Sequence, residues 1–218
     1  MAIIITEDLF TSSLLALFIG FAISIMLTYI DYKIEGGDLF SNIVDSLPTF
    51  VLIIALLILG TITALNFYFK LIKVSSVIGY NLEPLNRFSY FLASIFIFSS
   101  QVLAVFVYTI AEWSMAIFLD IDIAPQKLLK ANILCYLLYL IPVFVDYFFV
   151  STLSDIRMII QASFNVAIIT KTVEIVVIFL YSIALKNLSN AEDKRVLFAA
   201  VVPSIVIGTV VMYILPNI

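Results

Sequence analysis

Three ionisable side chains lie inside long apolar runs: Asp146, Lys171 and Glu174. A charge in the hydrocarbon core of a membrane is costly, and is met mostly where it faces protein, water or a partner charge. Lys171 and Glu174 are three residues apart, which sets them on one face of a helix. Asp146 precedes the short polar stretch 154–157 by about two helical turns, and Lys171 follows it by about three to four. Helices joined by so short a turn pack antiparallel, and a lysine stem bridges the remaining offset. The spacing therefore predicts one Asp146–Lys171–Glu174 cluster. A proton or ion relay is one chemistry that such a cluster could run. A self-neutralising cluster that fixes helix packing is the other reading, and an Asp146 hydrated near the interface is a third.

Uncharged polar residues in the same runs suggest less chemistry. Asn66, Gln101 and Asn165 are suited to hydrogen bonds between helices. Gly20 and Gly60 suit close helix approach. Glu112, beside Trp113, reads as an anchor at the membrane interface rather than a catalytic acid.

The chain of 218 residues has no histidine and one cysteine, Cys135. Haem b and copper sites need imidazole, and iron–sulfur clusters need several thiolates. A zinc site made of scattered carboxylates would be unusual. No cofactor and no metal is expected, and an internal disulfide is impossible. With six glycines there is no phosphate-cradling loop, and no G-x-S-x-G is present. An intramembrane aspartyl protease needs two paired aspartates, and only Asp146 lies deep in a run. Serine–lysine hydrolysis is the enzyme chemistry that composition still permits, and the expectation is that the chain is not an enzyme. A net charge of −4 without a basic tail argues against nucleic acid as a partner.

The elements that must position these residues follow from the 64% hydrophobic content. About 20 mostly apolar residues cross a bilayer as a helix. The fold class read from the chain is all-α, a polytopic transmembrane helical bundle. Six spans are predicted at about 9–30, 47–69, 88–111, 131–153, 160–185 and 196–215. Loops this short leave one membrane domain over 1–218. The first run is too long for the apolar part of a signal peptide, follows Glu7 and Asp8, and lacks a small-residue cleavage site, so it reads as a retained helix. Barrel strands would be half as long and would alternate polar with apolar residues. No repeat or matched pair of broken helices marks a transporter built of inverted halves.

Lys and Arg in short loops set orientation. Lys33, Lys127, Lys130, Lys186, Lys194 and Arg195 fall on one side, and Lys70, Lys73, Arg87 and Arg157 on the other. The first set marks the cytoplasmic side, so both termini are expected on the non-cytoplasmic side.

Two stretches carry a resemblance to a known family. APQKLLKANILCYLLYLIPVF (124–144) resembles the short basic segment of the Yip1 domain that leads into a helix with a proline in mid-span. FLYSIALKNLSNAEDKRVLFAAVVPSIV (179–206) resembles the end of that family's penultimate helix, with a basic Leu-Ser turn before a last, proline-bearing helix. The resemblance implies a five-helix core over 45–215, with 1–44 as an extra helix and acidic loop. It also implies cytoplasmic loops before the fourth and sixth spans, in line with the basic-residue count. The implied activity is that of a non-enzymatic membrane scaffold or accessory subunit, with membrane lipid and other membrane proteins, or a second copy, as partners. A small transporter or channel subunit is the alternative.

Overall fold

The computed structural model describes residues 16, 18–27, 29, 30, 33, 39–79, 84–152, 154–189 and 193–214. Residues 9–15 of the predicted first span, and the acidic loop 31–38 apart from Lys33, lie outside the described residues. Among the described residues the regular structure is entirely helical. The order is α1 (Phe18–Leu27), α2 (Leu39–Ser46), α3 (Thr49–Ile78), α4 (Pro84–Phe118), α5 (Pro125–Tyr136), a 3-10 turn (Leu137–Tyr139), α6 (Leu140–Thr152), α7 (Ile156–Ser189) and α8 (Asp193–Ile214).

Four stretches are long and apolar enough to cross a membrane: Thr49–Ile78, Arg87–Phe118, Pro125–Thr152 and Phe164–Ser189. By length and composition this is a membrane protein. α1 and the stretch Arg195–Val206 of α8 are apolar but shorter. The helices outrun the predicted spans. α3 continues through Lys70 and Lys73 to Ile78, where a loop was expected, and α4 reaches Phe118 instead of ending at 111. At 1.5 Å per residue, the 35 residues of α4 extend about 52 Å, well beyond a ~30 Å hydrocarbon core.

Local chemistry explains the breaks. Pro142 has no amide to donate, and its ring crowds the carbonyl one turn back; the chain tightens into the 3-10 turn immediately before α6. α4 ends in a Schellman motif. Asp120 sits at φ 56°, the Ile121 amide reaches back to Ala116 O (2.9 Å), and the Asp120 amide to Ile117 O (3.1 Å). Asp155 caps the start of α7, its Oδ1 accepting from the Arg157 amide and, at 3.4 Å, from that of Met158.

The contacts divide into two compact units. The first holds the start of α1 with Ala55–Val102 and Leu137–Ile175. There a Cβ on Gly20 would lie 2.9 Å from Ile175, and one on Gly60 would lie 3.1 Å from the Phe98 ring, so both glycines permit close helix approach as expected. Val150 and Ala162 are buried with Val74, Val77 and Phe149 packed on them, and Ser75 Oγ meets Tyr90 Oη at 2.7 Å.

The second unit holds Ile23–Ile54, Leu103–Tyr136 and the chain from Val176 onward. Its largest apolar cluster joins Ala116, Ile121, Ile123, Leu128, Leu185, Val196 and Ala199, with Trp113 against it. The break after α4 is therefore packed: Ile121 and Ile123 point in while Asp120 and Asp122 are exposed. Lys130 Nζ caps the end of α2, donating to Val44 O (3.0 Å) and Leu47 O (2.8 Å), and Lys127 pairs with Asp45 at 2.9 Å. Pro203 lies within α8 and lacks the amide that would bond the Ala199 carbonyl. One residue on, the Ala200 carbonyl accepts from Tyr108 Oη (2.5 Å) and Ser204 Oγ (3.1 Å).

The left-handed Asp120 gives a direct test. An L-residue with a Cβ is penalised in this conformation, and glycine is not. Asp120→Gly is expected to raise stability by about 0.5 kcal/mol and Asp120→Val to lower it by about 1 kcal/mol or more, read by thermal unfolding in detergent.

Candidate functional site

Each unit contains one polar cluster inside membrane-length helices. In the first unit, Asn66 and Lys70 are four residues apart and share a face of α3. Both reach Asp146 of α6. Lys70 Nζ lies 2.7 Å from Asp146 Oδ1, and Asn66 Nδ2 donates to Oδ2 at 3.0 Å and to Val143 O at 3.4 Å. The Lys70 and Asp146 side chains are 29% and 15% exposed, so the pair is mostly out of solvent. Both carboxylate oxygens have donors, so Asp146 is held as a neutralised clip rather than as a free base. A recess of about 250 Å³ lies beside it, walled by Ile62, Leu65, Phe69, Val143, Phe144 and Tyr147 together with Asn66.

This corrects the expected Asp146–Lys171–Glu174 cluster. Lys171 Nζ pairs instead with Glu174 Oε2 at 2.7 Å along α7, and the two side chains are 53% and 41% exposed. The reason is local. With the second span ended at 69, Lys70 was assigned to a loop; α3 in fact carries it on, one turn past Asn66, to the level of Asp146. Lys171 finds its counter-charge within its own helix. Among the amides, Asn66 does bond between helices. Gln101 is half-buried on α4, and Asn165 is half-buried in a recess of about 170 Å³ with Phe149, Thr152, Met158, Gln161 and Ala162.

The second unit holds the cluster that the sequence did not reveal. Thr109 and Glu112 are three apart on α4, and Asn132 comes from α5. Asn132 Nδ2 donates to Glu112 Oε2 at 2.8 Å and to Thr109 Oγ1 at 3.1 Å; Thr109 Oγ1 donates in turn to Val105 O at 2.7 Å. Glu112 and Asn132 are wholly buried, and Thr109 and Cys135 nearly so. Glu112 is therefore no interfacial anchor. Because α4 runs on to Phe118, it is still well inside the helix, and Trp113 beside it packs on the apolar cluster. The predicted span starts at 131, whereas α5 begins at Pro125 and carries Asn132 into the interior. The only available signal was the three-residue spacing of Thr109 and Glu112.

Two oxygens of this cluster, Glu112 Oε1 and Asn132 Oδ1, have no hydrogen-bond partner, and in the first unit Asn66 Oδ1 has none. Among the described residues no three His, Cys, Asp or Glu side chains converge as a metal site. What the second cluster offers is a set of hard oxygens around one carboxylate.

The pairing in the first unit makes a quantitative prediction. Asp146→Leu leaves the Lys70 ammonium and the Asn66 amide without their acceptor, and is expected to cost about 2–3 kcal/mol. Adding Lys70→Met should recover part of that loss, giving a coupling of about 1 kcal/mol or more, while the Asp146–Lys171 cycle should show essentially none. Unfolding of the single and double variants in mixed micelles measures both cycles.

No protein-family model, no curated protein and no solved structure matches the chain.

Proposed function

We propose that the chain is a non-enzymatic integral membrane scaffold or accessory subunit that works through other membrane proteins or a second copy of itself. The Lys171–Glu174 pair carries this reading. It sits on α7 about 10–15 Å inside the apolar stretch Phe164–Ser189, yet both side chains are about half exposed. Charged groups at such depth face protein or water in nearly all membrane proteins, because lipid tails cannot solvate them. A neighbouring helix with polar side chains would solvate this pair. The Asn66–Lys70–Asp146 clip supports the same reading, since its charge is spent on joining α3 to α6. The transport alternative draws on the helix count and on a joint Asp146–Lys171–Glu174 cluster, and the second of these is split between two separate pairs.

In this reading the chain crosses the membrane six times, with α1 and the 22-residue α8 completing the four longer spans. Both termini lie on the non-cytoplasmic side. Residues 45–215 form a Yip1-like core, and lipid surrounds the apolar faces. The chain works without cofactor or nucleic acid.

Gentle extraction and purification test the proposal. The wild-type chain is expected to migrate as a stoichiometric complex, with itself or with another membrane protein. Lys171→Ala combined with Glu174→Ala removes the pair without stranding a charge. This double variant should keep its melting temperature and lose the complex. An intact complex in the double variant, or a monodisperse wild-type monomer that binds a solute, overturns the proposal.

A further inference from the structure

A buried carboxyl group either keeps its proton or needs a counter-charge, and no cation stands beside Glu112 among the described residues. It is fully buried, and no ion pair among the described residues includes it. Its one hydrogen bond is to a neutral amide, through Oε2. Leaving an ionised group dehydrated and unpaired is among the most costly arrangements in a protein interior. The two partners of that hydrogen bond also share a defect: Glu112 Oε1 and Asn132 Oδ1 are both buried acceptors with nothing to accept from. Buried polar atoms are almost always satisfied, and an orphan calls for a proton, a water or an ion to account for it. Here two orphans belong to directly bonded side chains.

We propose that Glu112, Asn132 and Thr109 form a binding site for one small monovalent metal cation, with sodium as the ion that fits. The orphans are oxygens, and Thr109 Oγ1 adds a third hard donor within 3.1 Å of the Asn132 amide nitrogen. Hard oxygens select alkali and alkaline-earth ions over transition metals. Once the ion displaces its proton, one carboxylate supplies one negative charge, which a monovalent ion neutralises and a divalent ion would overshoot. The ligands come from two helices, Thr109 and Glu112 from α4 and Asn132 from α5. Bound sodium would therefore tie α4 to α5 and stabilise the fold by mass action. This goes beyond the scaffold reading and does not depend on it.

Trp113 is the only tryptophan in the chain and adjoins Glu112, so its fluorescence reports on the site. Sodium chloride is titrated into the purified full chain against N-methyl-D-glucamine chloride at constant ionic strength. The wild type is expected to show a saturable change in Trp113 emission. Its melting temperature should rise by about 3 °C once sodium is tenfold above half-saturation, with potassium less effective. Glu112→Gln keeps the side-chain volume and removes the charge, so it should fold and lose the sodium response. Thr109→Val offers an independent check and should shift half-saturation about tenfold higher. Identical wild-type emission and melting in sodium and N-methyl-D-glucamine overturn the proposal, because the cluster is then only a structural hydrogen-bonded knot. A full sodium response in Glu112→Gln overturns it too, because the ion then binds elsewhere.

Discussion

In hydrocarbon a polar group has no water to fall back on, so every donor and acceptor must find its partner within protein. Helices meet most of that demand by pairing their own backbones. The remainder appears where a helix is broken or ends, and several such places among the described residues have a nearby group. In the turn before Pro203, Tyr108 and Ser204 donate to the Ala200 carbonyl, and the Tyr108 ring packs in turn on Tyr181 at 4.5 Å. Lys130 closes the end of α2 with two charge-assisted bonds. The Schellman turn at Asp120 closes α4 with its own backbone and packs Ile121 on Ala116. None of these devices is needed in water to the same degree, because there the solvent would fill the gap.

The same constraint sorts the charged side chains by how completely each is neutralised. Asp146 has an ammonium and an amide, one on each oxygen, and needs nothing further. Lys171 and Glu174 neutralise each other, but they do so on an exposed face of α7. Two desolvated charges attract each other strongly only if the solvation they lose is replaced; on that face, the replacement must come from outside the chain. Glu112 is the extreme case, fully dehydrated with a neutral donor on one oxygen only. An amide hydrogen bond cannot offset the cost of burying a full charge, so Glu112 keeps a proton unless a cation takes its place. The three sites thus lie on one scale of charge neutralisation, and the two whose charged group lacks full compensation are where a partner or a ligand has a thermodynamic reason to bind.

Sequence reading recovered what periodicity and composition control. The helical class and the positions of the four long apolar stretches follow from run length alone, whereas the 3-10 turn before Pro142 falls inside a span read as continuous. Helix ends were less legible. Lysines at 70 and 73 look like loop residues, yet long basic side chains extend a helix past its apolar part by reaching a counter-charge, and Lys70 does so. That single misplacement hid the true partner of Asp146. Glu112 was misread for the opposite reason: a carboxylate beside tryptophan resembles an interface, and only the position of α5 shows that it faces inward. Pairing between helices far apart in sequence, such as Thr109 with Asn132, leaves no periodic trace. It depends on rotations about helix axes, which an apolar sequence leaves undetermined when every face is greasy.

That indeterminacy gives the polar clusters a structural role beyond their energy. In lipid, one apolar face packs on another with little discrimination, because the tails compete on equal terms with side chains. A buried hydrogen-bonded set discriminates sharply, since rotating or sliding either helix strands its members. Each cluster here has the same design: two side chains three or four residues apart on one helix, and one acceptor or donor on the other. Two points on a helix face fix its rotation, and the single opposing group fixes the axial register. Asn66 and Lys70 against Asp146 set α3 on α6, and Thr109 and Glu112 against Asn132 set α4 on α5. An all-apolar replacement of comparable volume could match the stability of either cluster and still lose the single arrangement. These few polar residues are therefore better understood as determinants of which helix faces meet than as sources of net stability.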